Sequence, residues 1–506
     1  MTLQTMRWLL LAGLAACAPA ARGPSAPAPR PAATALPDDG AAHVTLLHIN
    51  DVYEVTAVDG GKAGGLARVA TLLKRLEAAN PATRMLLGGD FLSPSAIGTA
   101  RVNGERLAGR QMIAVLNAVG LDLATLGNHE FDLSFPELGR RIAESTFGYV
   151  LSNVTDSLGR PHFGIPRHRI LRLTDGRGRS VRLGVVGAVL EQVRRPNLRY
   201  LPPLAALRAE IAAIKDSVDA IVALTHLMLR QDIELAEELP ELDLIVGGHE
   251  HENWALRRGA RLTPIVKADA NVRTVAIIDV AVRPGARPKV EYRLMAVTDS
   301  IPEDPAVAAE AKRWTDLAYE AFRQDGLEPA RVIATLPMAL DARETIIRNQ
   351  ENELTRLLTG AWMAEARDAE VALINSGSVR LDDVIPAGPI TEYDVIRLLP
   401  FGGKAVMVEM SGALLRRVLE QGDINRGIGG FLLKASADMG PMGWRVGSTP
   451  LDTLRSYRVV TTDFLVSGGE QNLGYLNDRN PGLRLIRTLR DVRLIAIDEL
   501  KRRFGR

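Results

Sequence analysis

The run Gly127-Asn128-His129-Glu130-Phe131-Asp132 holds side chains with distinct chemical uses. Asn128 offers a neutral oxygen to a metal ion. His129 can donate a proton or hydrogen bond to a bound oxyanion, and Asp132 stands close enough in sequence to orient its ring. A lone Asn-His pair more often serves turn chemistry. Here it has company, because Asp51, Asp90, His226, His249 and His251 also follow apolar runs of the same half of the chain. An Asp after a strand commonly caps the next helix, but six such residues at equivalent places converge on one rim of a sheet. Oxygen and imidazole donors without thiolate suit borderline divalent ions such as Zn, Mn, Fe, Ni or Co. A carboxylate shared by two ions would hold them about 4 Å apart, a spacing that activates water for in-line attack on phosphorus.

The elements that must position these residues are legible as apolar runs. Strands are expected over 43–50, 85–87, 121–126, 181–189, 220–224 and 242–246, and all but 181–189 deliver one of the candidate residues or the Gly beside it. Gly127 lets the chain turn sharply at its strand end. Helical spacing covers 63–79, through Leu66, Val69, Leu72, Leu73 and Leu76, and 112–119. Strands alternating with helices indicate a layered α/β domain, in which ligands gather beyond the carboxyl ends of strands. We place this domain at 43–298. A helix over 306–322, with Trp314 and Leu317 on one face, is expected to form a linker at 299–329 that spaces the domains.

A second α/β body is expected over 330–506, with a helix at 352–366, a strand at 371–374, a turn at 386–391, a helix from Glu392 and a strand at 458–462. Its candidate chemistry is binding. Phe401 and Phe464 are loop aromatics near glycines and can sandwich a flat base. Glu470 can accept from sugar hydroxyls, and Arg343, Arg348 and Arg380 can grip a phosphate or carboxylate. Singly these signals are weak, because such aromatics are usually core and loop arginines usually solvated.

With 506 residues, two domains plus connectors are expected. Hydrophobic residues at 46% and charged residues at 24% exclude disorder for the bulk, and a net charge of +2 points to no particular partner. Residues 1–17 read as an export signal: Arg7, then an apolar run over 8–16 too short to span a bilayer. Leu14-Ala15-Ala16-Cys17 resembles the bacterial lipobox, which implies lipidation of Cys17, the only cysteine. The Ala- and Pro-rich segment 18–42 reads as a tether. The expected location is periplasmic or cell-surface, as a bacterial lipoprotein.

Asp51-x-Tyr53, Gly88-Gly89-Asp90, Gly127-Asn128-His129-Glu130, His226 and Gly248-His249-Glu250-His251 resemble, in order, the motifs of calcineurin-like metallophosphoesterases. Asn375-Ser376-Gly377-Ser378-Val379-Arg380 and Pro400-Phe401-Gly402 resemble the carboxy-terminal domain of the 5′-nucleotidase family. The resemblance implies a four-layered α/β/β/α catalytic domain, a helix linker and an α/β substrate-binding domain. It implies two divalent ions (Zn, Mn, Co or Ca, with Fe if Tyr53 ionises) bridged by Asp90. Asp51 and His251 complete one position; Asn128, His226 and His249 complete the other. His129 and Asp132 form the dyad beside the phosphoryl group, Phe401 and Phe464 stack the base, and Arg343, Arg348 and Arg380 hold the substrate. Glu470 stands where the family commonly has Asp, Gly403 where an Asn often contacts the base, and Ser378 where a Gly is common. Tyr53 replaces a ligating His, with three outcomes: packing beside a weaker three-ligand site, ligation as phenolate to iron, or a site for one metal only.

The implied reaction is metal-dependent hydrolysis of a nucleoside 5′-monophosphate by a monomer acting on nucleotides rather than nucleic-acid polymers. Hydrolysis of UDP-sugars or 2′,3′-cyclic nucleotides is the enzymatic alternative. A nucleotide-binding surface lipoprotein with little catalysis is the alternative of another class.

Overall fold

The computed structural model describes residues 38–191 and 197–505. The expected export signal, Cys17 and the expected tether as far as residue 37 lie outside the described residues. Among those described, no helix is long and apolar enough to cross a membrane.

Runs of Val, Leu, Ile and Ala make two six-stranded sheets in the first domain. One runs in the order Lys289–Ala296, Thr274–Val282, Ala42–Ile49, Thr83–Gly88, Leu123–Thr125, Gly148–Tyr149. The other runs His168–Thr174, Ser180–Val189, Ala220–His226, Leu244–Gly247, Thr263–Lys267, Trp254–Arg258. The central strands of each are parallel; antiparallel strands flank them on both sides of the second sheet but on one side of the first, whose other edge, Gly148–Tyr149, is parallel. Parallel strands buried on both faces explain why these segments read as continuous apolar runs rather than alternating ones. Val44, Leu46 and Leu86 of the first sheet meet Val185, Val222 and Val246 of the second. Helices Leu66–Ala79 and Arg110–Val119 cover the outer face of the first sheet. Pro203–Ile214 and Leu229–Glu238 cover the second. The layers are therefore α/β/β/α.

Three local expectations change. The helix expected from residue 63 starts at Leu66, because Ala63–Gly64 pairs with Ala57–Val58 and Gly64 and Gly65 have φ of 68° and 97°. His226 is the last residue of its strand, not a loop residue beyond it. The turn expected over 386–391 contains a strand, Gly388–Thr391, paired with Val332–Leu336; Pro389 is tolerated because this is a two-stranded edge pair.

The linker helix Pro305–Gln324 does more than space domains. Val307, Ala311, Trp314, Ala318, Ala321 and Phe322 are buried, and the helix packs on the first domain's helices Leu66–Ala79 and Arg110–Val119. Leu317, expected beside Trp314, is 37% exposed. The apolar core continues past this helix into the second domain, through Leu336, Leu357, Trp362 and Ile495. There a five-stranded sheet runs Leu432–Ala435, Val371–Asn375, Ser456–Thr462, Lys404–Ser411, Leu483–Asp491. Helices Glu353–Glu365 and Val492–Phe504 lie on one face and Gly412–Ile424 on the other.

Candidate active site

Strand ends of both sheets bring Asp51, Asp90, Asn128, His226, His249 and His251 to one rim. Asp51, Asp90, His249 and His251 have φ of 52°, 54°, 96° and 57°. Left-handed backbone costs a non-glycine residue roughly 1–3 kcal/mol, so four such residues in one cluster mark a built site. Hydrogen bonds offset the strain. Glu130 accepts from the amides of Asp90, Phe91, Leu92 and Gly127 at 2.6–2.9 Å, tying two strand-end loops to one carboxylate. Asn50 donates to Asp51 Oδ2 (2.7 Å) and to the Ala268 carbonyl (2.9 Å). Lys267, fully buried, donates to the Leu227 and Gly248 carbonyls and pairs with Asp232 and Glu250, fixing the segments that follow His226 and precede His249.

Ligand-type atoms of Asp51, Asp90 and His226 lie within 4.8 Å of one another. His226 Nδ1 bonds to the Gly88 carbonyl at 2.7 Å, which aims Nε2 at Asp90 Oδ2 (3.1 Å) and Asp51 Oδ1 (4.0 Å). His251 Nε2 is 3.3 Å from Asp51 Oδ1, and the His249 ring lies 5.5 Å from that of His226. Burial disfavours a charged His226, yet Asp90 and Asp51 push its pKa up to about 9. Burial and its neighbour His226 push His249 down to about 3. The cluster thus confines negative charge that calls for a compensating cation. Asn128 Oδ1 is buried and lacks a hydrogen-bond partner, and the buried His226 Nε2 faces only the Asp90 and Asp51 carboxylates. An orphaned oxygen, strained strand-end loops and confined anionic charge all fit divalent metal.

Tyr53 places its hydroxyl in this cluster, 2.9 Å from His251 Nε2, 3.4 Å from Asp90 Oδ2 and 3.5 Å from Asp51 Oδ1. Burial first, then Asp90 and Asp51, raise its pKa far above the usual phenol range. His129 hangs from the same framework, its amide donating to Asp90 Oδ1 at 2.8 Å. Its Nδ1 lies 2.7 Å from Asp132 Oδ2. Burial opposes its protonation, but Asp90 and Asp132 outweigh burial and raise its pKa.

The second domain closes over this rim. Arg380 Nη2 lies 3.0 Å from His129 Nδ1 and donates to Asp132 Oδ2 at 3.3 Å. Asp382 accepts from His251 Nδ1 at 2.7 Å. Tyr393 and Arg397 both donate to Glu54, at 2.8 and 2.9 Å. The cavity left among Tyr53, Asp90, His129, His251, Arg380 and Asp382 is about 30 Å³, room for a water rather than a nucleotide.

The remaining candidate residues lie in the second domain. Arg348 pairs with Glu344, and Arg380 lies 3.5 Å from the same carboxylate. Arg343 is not gathered with them: it is half exposed and forks onto Asp341. Phe401 and Phe464 are 55% and 47% exposed, with Arg380 5.8 Å from the Phe401 ring. Gly403 has φ 95°, and a Cβ there would lie 2.8 Å from Asp463 Oδ1, which accounts for glycine. Glu470 accepts from Asn375 Nδ2 at 2.6 Å, and Ser378 Oγ donates to Asn375 Oδ1 at 2.6 Å, so Ser378 helps to fix Glu470. Sequence reasoning assigned no task to Glu130, Asn50, Lys267, Glu54 or Asp382. Only Lys267 advertised itself, as a charge ending the otherwise apolar strand Thr263–Lys267.

The family model for calcineurin-like phosphoesterases matches residues 44–253, and that for the 5′-nucleotidase C-terminal domain matches residues 332–475. The chain is 28% identical over 421 residues to a 5′-nucleotidase of Vibrio cholerae, covering 73% of each protein. It is 25% identical over 505 residues to protein UshA of Yersinia enterocolitica, covering 87% of this chain and 88% of that one. Among solved structures, a 5′-nucleotidase precursor of Thermus thermophilus superposes with a TM-score of 0.70 at 22% identity. The match covers 91% of this chain and 96% of that one. A phosphoesterase rim clamped by this second domain, with both domain types in this order, makes the chain a metallophosphohydrolase of the 5′-nucleotidase family.

Proposed function

We propose that the protein hydrolyses nucleoside 5′-monophosphates to nucleoside and phosphate. The observation that carries this reading is the apposition of Asp51, Asp90, His226 and His251 with the His129–Asp132 pair, facing Arg380 across the domain interface. Asp51, Asp90 and His251 would hold one divalent ion, and Asp90, Asn128, His226 and His249 a second. Bound there, such ions polarise phosphoryl oxygens and lower the pKa of water. Asp132 holds His129 with its other nitrogen free to donate to the phosphoryl oxygen on which charge develops. Water adds to phosphorus as the bond to the ribose oxygen breaks, and that oxygen leaves with a proton. Arg348 and Arg380 steady the phosphate, Phe401 and Phe464 take the base between them, and Glu470 accepts from the ribose hydroxyls. The 30 Å³ cavity requires the domains to part for entry and exit.

Tyr53 serves this centre as a neutral hydroxyl at the ligand cluster. A charge-transfer band after iron loading would instead establish phenolate ligation. We also propose export and lipid anchoring through Cys17, resting on the composition of residues 1–17. Labelled fatty acid incorporated by the wild type but not by Cys17→Ser is the expected result.

The test is phosphate release from AMP by metal-stripped protein supplied with Mn, Co, Zn, Ca or Fe, with UDP-glucose and 2′,3′-cyclic AMP in parallel. Strong release from AMP with one of the metals is expected, and chelation should abolish it. Release from the other substrates alone would transfer the reading to them. AMP binding without turnover of any substrate would leave a nucleotide-binding protein.

A further inference from the structure

Three anchors of one second-domain loop grip the first domain. Arg380 reaches Asp132, Asp382 reaches His251, and Asp383 accepts from Arg273 at 2.5 Å, while Arg273 also forks onto Asp59 at 3.0 Å. Asp382 is built for its contact. Its φ of 45° is left-handed, and its other oxygen accepts the Glu344 amide at 2.6 Å, so the carboxylate is held from behind. A His that donates Nδ1–H to a fixed carboxylate presents Nε2 as the ligand and gains basicity. His226 obtains the equivalent bond from the Gly88 carbonyl, within its own domain. His251 obtains it from across the interface.

We propose that Asp382 is a positioning residue for the metal ligand His251, so that closure of the two domains completes one metal position and metal affinity and closure are coupled. The proposal rests on the reading of His251 as a ligand. Tyr53 brings only a phenol hydroxyl to that position, 2.9 Å from His251 Nε2, so the orientation of His251 weighs more there. Coupling is reciprocal: an ion bound more tightly by the closed form must favour closure by the same factor.

The test uses the purified full chain, stripped and titrated with Mn. Calorimetry and metal analysis give affinity and stoichiometry, and small-angle scattering gives overall dimensions with and without Mn. Asp382→Asn and His251→Ala are compared with the wild type, and thermal melting confirms that each is folded. Asp382→Asn should weaken one of the two Mn positions about 10- to 100-fold and leave the other unchanged. Mn should compact the wild type but not Asp382→Asn, and Asp382→Glu should recover part of the affinity. Wild-type affinity in Asp382→Asn, with an ion lost in His251→Ala, would overturn the positioning role while sparing the ligand reading. Unchanged Mn binding in His251→Ala would overturn both. Should Asp382→Asn weaken Mn while wild-type dimensions ignore it, the coupling to closure is overturned.

Discussion

The first domain's rim and the second domain's binding face are built on opposite plans. Around Asp90, the loops are buried, left-handed at Asp51, Asp90, His249 and His251, and braced by Glu130, Asn50 and Lys267. Around Phe401 and Phe464, two aromatic rings stand about half exposed, and Arg343 turns aside to Asp341. The rim is a rigid scaffold that must hold charge at fixed distances, where an error of an ångström costs orders of magnitude in rate. On the proposed reading the face admits and releases a nucleotide, which accounts for contacts left incomplete until one arrives. Chemistry is preorganised and recognition is deferred.

The comparison can be broken by substitution. His129→Ala should remove the donor from the most preorganised part of the molecule, lowering kcat by about 10²–10⁴ with KM for AMP little changed. A comparable rise in KM in steady-state kinetics would instead assign His129 to binding. Glu130→Ala should leave buried amides of both ligand loops without an acceptor, costing about 3 kcal/mol or more, with Glu130→Gln losing less. Thermal melting and metal content read this out, and an unchanged melting temperature would deny Glu130 its bracing task.

On the other face, Phe401→Ala or Phe464→Ala should each weaken AMP binding by about 1–3 kcal/mol, roughly 5- to 150-fold, without lowering Tm. A fall in Tm would show that the ring supports the fold. Smallest of all, Arg343→Ala breaks an exposed ion pair worth under about 1 kcal/mol, and Tm should hardly move. A tenfold or greater rise in KM would show that Arg343 leaves Asp341 for the substrate.

Much of the rim was legible because its residues announce themselves. Apolar runs buried on both faces mark parallel strands, and the strand-end positions of Asp90, Asn128 and His249 follow from where those runs stop. The second domain was legible in its Asn375–Arg380 segment and much less in its edges. There Pro386 to Thr391 reads as a turn, yet its last residues, Gly388–Thr391, pair as a strand. Leu317 fails for a related reason. Helical spacing gives a face, but which side meets a neighbour depends on packing against Leu66–Ala79 and Arg110–Val119.

What the sequence by itself determined is the layered α/β order and which polar side chains arrive at the strand ends, since these depend on residue type and on strands a few residues away. Tertiary structure alone decided that Glu130 holds two loops and that Tyr53 reaches the ligand cluster rather than the apolar core. It alone set Arg380 on His129, 251 positions away, and Asp382 on His251. Side chains so distant in sequence meet through the docking of whole domains, and no local pattern of polarity records that geometry.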